Sequence, residues 1–357
     1  MPAGAKDGTS LAKLVRMAIP LFREAQAQCP RTGPGRPPDF ADWKMALLII
    51  VAILKGRKSK SAQYRFLHEH RRKLRRWLGL DRFPSRGTYF ARYARLYRVF
   101  EIAIRLQGRL ALREGVASAR MVSVDKSLIA ARGPQWHAKD RRANRIPPGL
   151  RGVDRASTWS FSKHHGWVQG YGYEVVVTAG KGTILPLLAS ADTASVSEHV
   201  SFGPKIAQLP KATRYVLADS GYDSNDYGDR VERDDRGRPT GRRFLCAPNP
   251  RNGRVASPAE PGLRIAERQA RQHRRKRLAF YRSQTGRRLY RRRSQSVEPF
   301  NEWFKSAFGL DQTVWHRGLG NNQTQFLAAM FNYQLLLRYN HRIGRDNGQI
   351  QWILDTL

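Results

Sequence analysis

MVSVDKSLIAA, residues 121–131, is the stretch on which the fold turns. Its β-branched and aliphatic content marks a strand, yet Asp125 interrupts the apolar run. A carboxylate in a buried strand is costly unless it is paired, hydrogen-bonded or bound to a cation. A second acid, Asp219, ends the strand-like TRYVLADSG immediately before Ser220 and Gly221. Two carboxylates on neighbouring strands repel and raise the pKa of one of them, unless a divalent metal neutralises both. The pair therefore calls for a metal ion.

Outward from this stretch, GYGYEVVVTAG, ILPLLASAD and RRFLCAP are further short runs rich in Val, Leu, Ile and aromatics, broken by Gly or polar turns. SVSEHVSFGPKIAQL, before TRYVLADSG, reads as a helix. This is the pattern of an α/β domain with mixed strand order, running from about residue 119 to 357. Residues 1 to about 118 read as helices instead, broken over CPRTGPGRPP. There, SAQYRFLHEHRRKLRRWLGL and PSRGTYFARYARLYRVFEIAIRLQGRLAL flank a short DRFPSR turn, with Ser85 as an N-cap. Two basic helices around a tight turn suit either a helix-turn-helix on DNA or a solvated amphipathic bundle.

Composition narrows the partner. The chain has 65 Lys and Arg against 28 Asp and Glu, a formal charge of +37. That excess, mostly Arg, is matched by a phosphate backbone with its condensed counterions. The only cysteines, Cys29 and Cys246, lie far apart without metal-ligand spacing, which points to a reducing compartment and no thiol chemistry. The longest apolar run, ALLIIVAIL, is nine residues, against about 20 for a membrane span. MPAGAKDGTS carries no secretory pattern, so a cytoplasmic, nucleoid-associated protein is expected, with no membrane partner.

A third acid stands in SVEPFNEWFK, residues 296–305. At about 100° per residue, Glu298, Glu302 and Lys305 share an arc, while Val297, Phe300, Trp303, Phe304, Ala307 and Phe308 occupy the opposite side. Pro299 puts Glu298 at the N-cap or in the first turn, with Pro299 itself at the first helical position. A carboxylate there also suits the helix dipole alone, and Glu302 is the reserve candidate. A second long helix, about residues 321 to 340, is apolar enough to pack on the sheet.

Other polar residues read more simply. His164 and His165 alternate across a strand and cannot share one ion; Trp159 and Trp167 beside them read as packing residues. Asp223, Asp226 and Asp229 lack the glycine and terminal glutamate of a calcium loop and suit solvated turns and caps. Residues 251–293 read as loop followed by an intensely basic, solvated run. Phe280, Tyr281 and Tyr290 within it could stack on unpaired bases. Arg317 suits a phosphate contact or a plain turn.

VSVDKSLI, VLADSGYDS and YRRRSQSVEPFNEWFK together resemble the DDE transposases of bacterial insertion sequences, in the group whose third motif is written Y-R-E-K. The resemblance runs from about residue 119 to the end. It implies a ribonuclease-H-like mixed sheet flanked by helices, preceded here by the all-helical region. By position it makes Asp125, Asp219 and Glu298 the catalytic metal ligands, and Tyr290, Arg293 and Lys305 contacts to the transposon-end backbone. Lys305 stands seven residues after Glu298, as the pattern requires. Four residues separate Arg293 from Glu298 where the family usually has three, so Arg292 is a second candidate. The basic stretch at about 251–293 corresponds to an insertion that the family often carries.

The same resemblance implies two Mg²⁺ ions, or Mn²⁺ in their place, set about 3.5–4 Å apart for phosphoryl transfer. Its partners would be double-stranded DNA, namely terminal inverted repeats and target, with a homodimer synapsing two ends. Two other readings stay open on the sequence: a stand-alone metal-dependent nuclease of the same fold, and a catalytically inactive DNA-binding derivative.

Overall fold

The computed structural model describes residues 10–29, 39–162, 166–250, 258–259, 262–345 and 348–357. Helices come first: α1 (Leu11–Gln28), α2 (Asp42–Leu54), α3 (Lys60–Glu69), α4 (Arg71–Leu78), α5 (Arg86–Tyr93) and α6 (Tyr97–Arg113). There follow β1 (Met121–Ala130), α7 (Ala138–Arg142), β2 (Thr158–Ser162), β3 (Gly166–Thr178), β4 (Pro186–Thr193), α8 (Glu198–Ile206), β5 (Tyr215–Ala218), α9 (Asn225–Glu232) and β6 (Arg243–Cys246). The chain closes with α10 (Ile265–Arg282), α11 (Gln284–Tyr290), α12 (Val297–Phe308), α13 (Leu319–Arg342) and α14 (Gln351–Thr356).

The six strands form one mixed sheet in which β3 pairs with β1, β2 and β4, and β1 leads through β5 to β6. β1, β3 and β4 are antiparallel neighbours, whereas β1, β5 and β6 run parallel. An antiparallel meander continued by parallel strands is the ribonuclease-H-like arrangement, and helices flank it as expected. The hairpin strand β2, TWSFS, is an addition that its short, polar sequence conceals.

Ser85 caps α5 through a hydrogen bond from the Thr88 amide. The apolar run of α2 is buried along its whole length, and no described helix is long and apolar enough to cross a membrane. One cluster of buried side chains extends from Leu14 to Ile353. Its axis is α13, buried from Thr324 to Asn340 and touching the sheet through β3 and β4 as well as α1, α2 and α6. This helix therefore packs on more than the sheet. Its polar side chains are spent across the same boundary: Asn332 donates to the Ile50 carbonyl at 3.1 Å, and Gln334 to those of Ile104 and Pro186 at 3.0 and 2.6 Å. Arg338 makes a two-pronged ion pair with Glu114 at 2.5 and 2.8 Å.

The basic run after residue 262 is helical, not a loose solvated segment. Arg274 pairs with Asp223 at 2.8 Å, and Arg277 with Asp229 at 2.8 Å, pinning α10 on α9 and on the turn before it. Asp223 and Asp229 are thus anchors, where the sequence suggested solvated caps. At the α10–α11 corner, a Cβ on Gly286 would lie 1.9 Å from the Phe280 carbonyl oxygen, so only glycine permits this close return.

Candidate active site

β1 and β5 run parallel with Val122 opposite Val216 and Ser123 opposite Leu217. Carried two residues further, that register sets Asp125 abreast of Asp219. Asp219 follows the last residue of β5 and caps a short 3₁₀ turn, Ser220–Tyr222, accepting from the Gly221 amide at 2.9 Å. A Cβ on Gly221 would press on this carboxylate, 3.0 Å from its Oδ1. The turn is anchored below, where the Tyr222 hydroxyl donates to the buried Glu174 at 2.9 Å. Glu174 in turn is paired with Lys205 at 2.8 Å.

The third acid arrives on α12. Phe300, Phe304 and Phe308 form its buried face, with Phe300 edge-on to Tyr333 and Tyr173 edge-on to Phe304. Ser296, its N-cap, meets Ser123 of β1 at 2.9 Å, and this fixes the helix start beside Asp125. Val297 takes the first helical position, so Glu298 is second, within the first turn, and Pro299 third, two places later than the sequence suggested. Trp303 was expected on the packed side but is half-exposed.

All three carboxylates converge on Arg293. Its guanidinium lies 3.0 Å from Asp125, 2.9 Å from Glu298 and 4.0 Å from Asp219. Glu302 is exposed, and Arg292 bonds to Gln295 instead. Burial pushes the Asp125 carboxyl up to about 7; Arg293 pulls it down, while Asp219 and Glu298 push it further up. Burial works against the charge of Arg293 as well, but Asp125 and Asp219 outweigh it and hold the guanidinium above its ordinary value.

Asn301 joins this group and was not singled out in the sequence. Its amide donates to Asp125 Oδ2 at 2.9 Å, and its own oxygen accepts from the Tyr173 hydroxyl at 2.9 Å. The signal for it was available, since Asn301 falls on the same helical arc as Glu298 and Lys305. Lys305 reaches the Leu128 carbonyl at 3.4 Å, and burial lowers its pKa. Tyr290 packs edge-on to Tyr281 at 4.9 Å, and burial raises its hydroxyl pKa. Phe280 and Tyr290 also pack against a small cluster formed by Ala179, Leu217 and Leu245. Those rings are half-buried, and packing takes up part of their faces. His164 and His165 lie outside the described residues.

Three carboxylates from three elements facing a single guanidinium leave negative charge to be met, and hard oxygen donors suit Mg²⁺ or Mn²⁺. Among the described residues, no such acids are drawn together into a ready metal cluster; the Arg293 guanidinium lies within 4.0 Å of all three. The carboxylate donor chemistry itself suits a divalent ion.

No curated protein and no solved structure matches this chain significantly. A family model described as the transposase DDE domain matches residues 117–335, more than half of the chain and every strand of the sheet together with α12. The match, the strand order and the acids within β1 and just after β5 agree, and the chain belongs to the transposase DDE domain family.

Proposed function

We propose that this protein is the transposase of an insertion sequence, cutting DNA at the element's ends and joining the freed 3′-hydroxyl to target DNA. Membership of the family makes DNA the partner and divalent metal ions the usual cofactor. The observation that carries the finer reading is the convergence of Asp125, Asp219 and Glu298 on one guanidinium. These three side chains would hold Mg²⁺, as a pair of ions, or Mn²⁺. When bound, such ions supply Lewis acidity at the scissile phosphate and at the attacking oxygen.

The chain's own residues do the positioning. Asn301, steadied by Tyr173, holds Oδ2 of Asp125, while Oδ1 accepts from Arg293. The Gly221 amide holds Oδ1 of Asp219. Arg293 balances the acids until a phosphate is near, and then, with Lys305 and Tyr290, it contacts the backbone of the element's end. The helical region up to about residue 118 binds the terminal inverted repeats as a functional unit. Supporting this, α4 exposes Arg71, Arg72, Lys73, Arg75 and Arg76. Two copies would synapse two ends.

The deciding experiment supplies a pre-cut inverted-repeat end with a free 3′-hydroxyl, a plasmid target and Mg²⁺. Joined product is expected from the parent protein and none from Asp125→Asn, Asp219→Asn or Glu298→Gln, all three retaining DNA binding. Hydrolysis without joining would make the protein a nuclease, and joining by Asp219→Asn would remove that residue from the site.

A further inference from the structure

The β2–β3 hairpin leaves two large aromatic rings bare. Phe161 and Trp167 are 58% and 67% exposed. They are directly opposed across the strands and meet edge to face at 5.7 Å. Trp159, two residues before Phe161, lies on the same face of the hairpin. The sequence had assigned Trp159 and Trp167 to packing. The structure half-buries only the first, whose indole donates to the Trp136 carbonyl at 2.8 Å.

Beside Trp159 opens a cavity of about 450 Å³, lined by Trp136, Arg141, Arg142, Asn144 and Arg155. That volume is within the range of small-ligand clefts. Arg141, Arg142 and Arg155 make no ion pair with any described acid; the local carboxylate, Asp140, is taken by Arg145 at 2.6 Å. The cavity is a built feature: the buried Gln169 accepts from the Trp136 amide at 2.6 Å and donates to Ser157 at 2.8 Å, fixing the floor.

We infer that this hairpin and the adjoining α7 loop form a second DNA site, specific for unpaired nucleotides. Phe161 and Trp167 supply ring faces for bases, and Arg141, Arg142 and Arg155 supply cations for the phosphates leading into the cavity. Aromatic faces interleaved with unpaired arginines are the chemistry of single-strand binding, because only an unstacked base offers its π-face. A duplex would use the arginines and leave the rings idle. This site needs none of the three carboxylates, so it stands or falls separately from the catalytic reading.

The test measures binding by fluorescence anisotropy in EDTA, using the Asp125→Asn protein. It compares a blunt duplex with the same duplex carrying a short unpaired arm. The expected result is a preference of about ten-fold for the arm, lost in the Phe161→Ala/Trp167→Ala double variant while affinity for the blunt duplex stays unchanged. Arg141→Gln/Arg142→Gln should flatten the salt dependence of arm binding. Equal binding of both DNAs by the parent, or an undiminished preference in the ring variant, overturns the inference. So does a ring variant whose oligomeric state alone changes in sedimentation velocity, since the rings would then serve a second copy of the chain. Phe161, Trp167 and Arg142 are exposed and Arg141 half-buried, and circular dichroism checks the fold of every variant.

Discussion

Asn301 and Asp125 are joined by a 2.9 Å hydrogen bond in which the amide donates and Oδ2 accepts, and Tyr173 fixes the amide from behind at the same distance. Asn301 thus fixes the orientation of the Asp125 carboxylate. Replacing it with Ala should lower strand joining by about ten- to one-hundred-fold, the usual cost of losing such a supporting contact. Affinity for the inverted repeat should stay level. A matching loss of binding would mean that α12 had moved, and the relay would not be the cause.

If the three acids hold metal as proposed, Arg293 competes with it for them. In Arg293→Gln, Mg²⁺ or Mn²⁺ without DNA should raise the melting temperature by a few degrees more than in the parent, because an ion that binds only the native state stabilises it by mass action. Isothermal calorimetry on the same variant should show tighter metal binding. Unchanged metal affinity would show that the guanidinium and the ions do not share a place.

His316 predicts acid sensitivity. Its ring is buried against Tyr93, 3.2 Å from the hydroxyl. Burial lowers its pKa from 6.5 to about 3, helped by Lys60 and Arg132. The unfolded chain therefore takes up a proton below 6.5 that the folded one refuses. The contribution of this group is complete above that pH and is lost as pH falls towards 3. Between pH 6.5 and 5 the loss is about 2 kcal/mol. Urea unfolding at both pH values checks this, and the slope attributable to this residue should vanish in His316→Gln.

Arg338 and Glu114 tie α13 to the end of α6, with the Arg338 side chain only 3% exposed. Arg338→Ala leaves Glu114 with Arg342 alone and should cost about 3–5 kcal/mol of stability by denaturant unfolding. Replacing both partners with leucine should recover part of that loss.

How much of this could be read from residues differs by interaction range. Asp125 and Asp219 were legible because an acid breaking or ending an apolar strand is a local signal. Glu298 was legible as one face of a helix, and Arg293 through the family resemblance. Asn301 escaped because an uncharged amide does not stand out on a polar arc. The α10 region was misread because charge dominated its composition, while the acids that hold it, Asp223 and Asp229, lie some fifty residues away. The strand β2 was hidden by its serines and by the arginine-rich loop before it. Trp303 was placed on the packed side because its wheel angle borders that of Phe300, yet the real contact face of α12 is the narrower Phe300–Phe304–Phe308 stripe.

The burial of α13 against both the helical region and the sheet has a mechanical consequence. Asn332, Gln334 and Arg338 bolt this helix to α2, α6 and β4, so it acts as a keel that holds those described elements of the helical region to the sheet. On the proposed function, the span from a gripped repeat to the severed phosphate would be a constant of the molecule. Such a ruler predicts that lengthening the DNA between those two points shifts the cut by the same number of base pairs.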